Sequence, residues 1–202
     1  MSTTLSRGAL AAAVLTSAIA LGDAVWQATA DGPAPWAPHE GIEWVWRAGE
    51  ASHGITYALL AALLAHSGGR IDAGRAVVRW LRRVLAVVLG VLGAGYLASA
   101  AVELDTAGPM GAVMGVGFLA LFPLAVALGA VLVARRETRY PGAWVLVSVV
   151  PLIGLTAVAS TVGWAHPGYV ETAVYLGLAL LGVLPRAVGE RGAEPALSGW
   201  SR

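Results

Sequence analysis

The sequence predicts an all-α fold, a polytopic integral membrane bundle of six transmembrane helices, and three observations carry that prediction. The chain is 57% hydrophobic and only 12% charged over 202 residues, with a mean hydropathy of +0.72. Soluble domains carry about twice that charged fraction, and an interior this small cannot hold so much apolar surface, so most of it faces lipid. Apolar runs recur at the length a bilayer demands. Arginines collect in every second connection between those runs.

A hydrocarbon core about 30 Å thick takes about 20 helical residues. Runs of that order lie at 8–28, 84–103, 110–134 and 143–163. Two shorter runs, 54–65 and 172–184, rise only about 18–20 Å and need flanking residues to cross. Downstream they meet Gly68-Gly69-Arg70 and Pro185-Arg186, so the extra length comes from upstream. The spans become 42–66 and 167–185, the transmembrane domain 1–187, and residues 188–202 a short cytoplasmic tail. The first run has a rival reading. Residues 10–21 would serve as the apolar region of a signal peptide, with Ala28-Thr29-Ala30 as its small-residue cleavage site, leaving five helices. Asp23 and Trp26 interrupt the approach to that site, and the run is long enough to span, which favours six.

Arg7, Arg70, Arg75, Arg79, Arg82, Arg83, Arg135, Arg136, Arg139, Arg186, Arg191 and Arg202 all fall on one side of such a bundle. Arg47 alone falls on the other, with Asp31, Glu40, Glu43, Glu103 and Asp105. The positive-inside rule makes the arginine side cytoplasmic and places both termini there, in the plasma membrane. Arg75, Arg79, Arg82 and Arg83 share about one face of the segment leading into 84–103, an arrangement suited to anionic lipid head groups rather than nucleic acid. Gly111 and Gly115 form a GxxxG fit for helix packing, including packing between copies, and Gly90/Ala94 and Gly95/Ser99 repeat the small-residue spacing. Pro123 and Pro151 fall near mid-span, where a hinge, a cavity or simple tolerance are all open readings.

Missing residue types exclude several chemistries. Without Cys there are no disulfides, iron–sulfur clusters or thiol nucleophiles. Without Lys there is no Schiff base or P-loop, and without Asn no N-glycosylation acceptor. Abundant Ala, Gly, Val and Arg alongside these absences indicates GC-rich coding and a bacterial source. No GxSxG nucleophile elbow occurs, and the GxGxxA at 115–120 lies mid-helix with no preceding strand, so it is not a dinucleotide site.

The chemistry left over is the set of polar residues placed inside the outer leaflet. Taken as one helix at 100° per residue, 42–65 carries Glu43, Arg47, Glu50, Gly54 and Tyr57 in one stripe, with Trp46 and His53 at its edge. Counted from the cytoplasmic ends, Asp23, Glu50, His53 and Glu171 stand about 20–24 Å up, and Tyr96 about 20 Å. Such groups face inward because exposure to lipid costs about 2.5–3.5 kcal/mol each. Asp23, Arg47, Glu50, His53, Tyr57 and Glu171 thus line a candidate pocket for moving or sensing a proton, small cation or polar solute. The competing reading is a purely structural network in which Arg47 neutralises Glu43 or Glu50 and His53 bonds Asp23, as in a membrane subunit with no site of its own. A third is a membrane-embedded metal-dependent hydrolase using His39, His53 and His166 beside Glu40, Glu43 and Glu171, although no HExxH is present. An axial haem pair could come only from His53 with His166. Nothing in the sequence requires a cofactor.

Overall fold

A run that is apolar around most of its circumference satisfies its backbone internally, and every regular element among the described residues is a helix. The computed structural model describes residues 3–30, 34, 41–72, 74–102, 108–135 and 140–182. The helices are α1 (Thr3–Thr29), α2 (Glu43–His66), α3 (Gly68–Ile71), α4 (Ala76–Ala101), α5 (Pro109–Ala134), α6 (Pro141–Val147), α7 (Val149–Ala159) and α8 (Gly168–Gly182), with a 3-10 turn at Ser160–Val162. Four stretches are long and apolar enough to cross a membrane: α1, α4, α5 and the segment Pro141–Val162.

The polar front of the second run is helix and not loop. α2 continues unbroken for 24 residues from Glu43 to His66, long enough to cross but made polar at its start by Glu43, Arg47, Glu50 and His53. It stops where the Ser67 amide and hydroxyl both turn back onto the Leu63 carbonyl. The third run starts earlier than its apolar core, because α4 begins at Ala76 and takes in Arg79, Arg82 and Arg83. The fifth run is divided between α6 and α7 at Ser148. Pro151 accounts for the division: it offers no N–H to the Val147 carbonyl, and its ring crowds that carbonyl. Pro123, by contrast, is carried inside an uninterrupted α5.

The helices close a ring in the order α1, α2, α4, α5, α6, α8 and back to α1, with α2 also touching α8. α8 is only 15 residues long, and eleven of them are buried, including Glu171, Val174, Tyr175 and Leu178. Buried over most of its surface by its neighbours in the ring, it presents little surface that would have to match a bilayer's thickness. Glycine permits the closest approaches. A Cβ at Gly142 of α6 would collide with the Gly177 carbonyl of α8, and one at Gly54 of α2 would lie 2.7 Å from the Leu97 side chain of α4. Gly93 completes the α2–α4 contact against the Ala58 backbone. Of the small residues singled out from sequence, Gly95 packs beneath Met114, whereas Gly90 and Gly115 face open space.

Leucines fill the interior: Leu60, Leu63 and Leu64 of α2, Leu85, Leu89 and Leu92 of α4, and Leu121, Leu128 and Leu132 of α5. Large apolar side chains also point outward, among them Leu15, Val87, Val116, Leu119, Leu155 and Val158, all at least 60% exposed. In water that outer surface would be a severe aggregation liability; against acyl chains it is the expected finish.

One arginine of the α4 stripe departs from its neighbours. Arg82 is 5% exposed and turned inward, gripping both oxygens of Asp72 at 2.8 and 2.9 Å. Its Nη1 donates to the Leu64 carbonyl at 2.6 Å, satisfying an open end of α2. Gly68 makes room for it, since a Cβ there would press on the guanidinium. Arg79 and Arg83 stay exposed, as does Trp80 between them. Arg82 therefore holds the fold together at this end, and only the outer members of the stripe are available to head groups.

Candidate functional site

The α2–α8 contact brings Tyr57 over Glu171. Tyr57 Oη donates to Glu171 Oε1 at 3.0 Å, and Tyr175, one helical turn beyond Glu171, reaches the same oxygen at 2.8 Å. The two hydroxyls are 2.9 Å apart. Both tyrosines are fully buried and Glu171 is 7% exposed. No arginine or histidine among the described residues forms an ion pair with Glu171, so its described hydrogen-bond partners are neutral hydroxyls.

Aromatic rings join this centre to the polar N-terminal end of α2. Tyr96 of α4 stacks on His53 at 5.5 Å between ring centroids, with 21° between planes, and lies 5.5 Å from Tyr57. His53 meets Tyr175 edge-on at 6.2 Å. Its Nδ1 sits 2.9 Å from the Gly49 carbonyl, which can only accept, so in the neutral ring Nδ1 carries the proton and Nε2 keeps its lone pair. Less than one turn further out, Glu50 faces Ser99 of α4 and His53. Half-buried Glu50 and His53 thus lie between enclosed Glu171 and the polar end of α2.

Of the six pocket residues read from sequence, Glu50, His53, Tyr57 and Glu171 come together and two do not join them. Asp23 pairs with His166, Oδ2 to Nε2 at 3.1 Å, and accepts from Gln27 at 3.1 Å. The tautomer follows from the backbone: the Gly168 amide donates to His166 Nδ1 at 3.0 Å, leaving the proton on Nε2 to face Asp23. This contact ties α1 to the segment that leads into α8. Arg47 turns to other partners. It pairs with Glu43 at 3.0 Å, donates to the Ala100 carbonyl at 3.0 Å, and covers the Trp46 ring. The anticipated Arg47–Glu43 pair is present, while the anticipated partner of Asp23, His53, is replaced by His166.

Sequence reasoning passed over Tyr175 and left Tyr96 and Ser99 outside the candidate pocket. Tyr175 was signalled by its i,i+4 spacing from Glu171, and Tyr96 by its depth. A second polar seam, Thr16 with Ser52 at 2.7 Å and Thr56 at 2.8 Å, joins α1 to α2 and had no sequence signal beyond its residue types. The buried Thr172 and Ser17 hydroxyls have no hydrogen-bond partner among the described residues.

No group of three or more His, Asp or Glu placed to hold a metal ion occurs among the described residues. His166 is engaged on both ring nitrogens and His53 is stacked on Tyr96, and His39 and Glu40 lie outside the described residues. Compared with models of protein families, with curated proteins and with solved structures, the chain matches none.

Proposed function

We propose that this chain is a multi-pass plasma-membrane protein that moves a proton or a small cation through a site in the outer half of its bundle, centred on Glu171. In this reading six spans leave both termini on the arginine-rich, cytoplasmic side. Exposed Arg79 and Arg83 hold that side against anionic head groups.

One observation carries the proposal: Glu171 is buried with neutral hydrogen-bond partners. Burying a carboxylate costs several kcal/mol unless a positive charge accompanies it. Two other described acids already have theirs, Glu43 from Arg47 and Asp72 from Arg82, while Asp23 faces the Nε2–H of His166. Glu171 instead draws a positive charge from outside the protein, which is the property of a binding site rather than of a structural ion pair. Glu50, His53 and Tyr96 supply acceptors and donors between it and the outer end of α2.

Purified protein in sealed liposomes, challenged in turn with proton, sodium and potassium gradients, tests the reading. One of these gradients collapses faster than in protein-free vesicles, and Glu50→Gln slows that collapse. Rates equal to protein-free vesicles for all three would sink the proposal.

A further inference from the structure

Three oxygens meet at the centre of the site. Glu171 Oε1 lies 3.0 Å from Tyr57 Oη and 2.8 Å from Tyr175 Oη, and the two hydroxyls are 2.9 Å apart. The triangle is nearly equilateral and each side has hydrogen-bond length, so three edges call for three hydrogens. The two phenols bring only two. With an ionised carboxylate both would point at Glu171, and the remaining edge would set two oxygen lone pairs face to face. Both tyrosines are fully buried, so no bulk water relieves that contact.

A third hydrogen on Glu171 Oε1 removes the conflict. The carboxyl then donates to Tyr175, Tyr175 to Tyr57, and Tyr57 back to Oε1. Every oxygen donates once and accepts once. A metal ion is a poorer occupant, because Glu171 is the one carboxylate of the triangle and no group of three or more His, Asp or Glu placed to hold a metal occurs among the described residues.

We propose that the species bound at this site is a proton, held on Glu171 as the third hydrogen of a closed ring with Tyr57 and Tyr175. The inference rests on the reading that Glu171 takes its positive charge from outside the protein, and it names that charge. Uptake adds H⁺ to the carboxylate by way of the Glu50–His53 side, forms one O–H bond and moves no electrons. Release breaks that bond and leaves two phenols donating to a carboxylate. The titratable neighbours are Glu50 and His53 beside Tyr57 on α2, Tyr96 on α4, and Asp23 of α1, which His166 engages. Helices α5, α6 and α7 bring no ionisable side chain.

Infrared spectra of the protein in lipid nanodiscs at neutral pH test this directly. Wild type shows the C=O stretch of a protonated carboxyl, shifted in D2O, and Glu171→Gln removes it. Tyr57→Phe and Tyr175→Phe, which delete one oxygen each and keep the packing, leave the band but move it to higher frequency as the ring opens. A spectrum without a Glu171 carboxyl band, or a band indifferent to both Phe variants, overturns the proposal. A band present without ion flux in liposomes upholds the bound proton and defeats the transport reading. Sodium or potassium flux with Glu171 ionised does the reverse.

Discussion

Tyr57 of α2 and Tyr175 of α8 meet hydroxyl to hydroxyl at 2.9 Å, 118 residues apart in sequence, over the one carboxylate they share. Each is completely buried, so each hydroxyl depends on the other members of the cluster for its hydrogen bonds.

That dependence predicts coupled losses. Tyr57→Phe and Tyr175→Phe should each destabilise the protein by about 1 kcal/mol, the net worth of a buried hydrogen bond. The double variant should lose less than the sum, by about 0.5 kcal/mol or more, because the two act in one network. Denaturant titration in mixed micelles measures the cycle, and strict additivity would show that the hydroxyls do not cooperate.

Arg82 should be the costliest arginine to remove. Its loss leaves Asp72 buried without its principal partner and the Leu64 carbonyl without its side-chain donor, a defect worth about 3–5 kcal/mol. Arg82→Lys recovers only part, because a single ammonium cannot grip both Asp72 oxygens. Arg83→Ala, at an exposed position, should fall within about 0.5 kcal/mol of wild type. The same titration ranks the three.

Glycines that face each other and glycines that face outward should behave oppositely. Gly54→Val forces a branched side chain against Leu97 and should destabilise by about 1–3 kcal/mol. Gly115→Leu meets open space and should leave monomer stability unchanged while weakening any association of copies through Gly111 and Gly115. Cross-linking yield in liposomes reads the second effect.

The absence of native cysteine makes the proposed six-span topology straightforward to test. Thr29→Cys, Val102→Cys and Ala165→Cys, all at exposed positions, should react with a membrane-impermeant maleimide on intact cells. Gly69→Cys and Arg135→Cys should react only after permeabilisation. A first helix removed as a signal peptide would reveal itself as a shortened chain lacking the Thr29→Cys label.

The helical architecture was legible because membrane length is a strict requirement. The twelve-residue run 54–65 could not cross alone, so Glu43, Arg47, Glu50 and His53 had to belong to its helix, and α2 carries them. The burial of α8 was not legible, because an apolar run looks the same whether it faces lipid or other helices. Depth counting put Glu171 level with Glu50 and His53; Tyr57, one turn along α2 from His53, reaches Glu171 directly, and His53 meets Tyr175. It could not choose rotation about each helix axis, so Asp23 was set beside His53 when its partner is His166 in the approach to α8. Periodicity likewise aligned Arg82 with three other arginines. Its inward turn depends on Asp72, delivered by the turn after α3, and helical spacing alone does not specify such a turn.

The most direct test of the account is proton flux in liposomes carrying a trapped pH dye, comparing wild type with Glu171→Gln. Glutamine keeps the size of the side chain and its acceptor for the tyrosines but cannot take up and release a proton. The account predicts that wild type dissipates an imposed pH gradient and that Glu171→Gln, folded to the same helicity, falls to the leak of protein-free vesicles. Equal proton flux in the two proteins would contradict it.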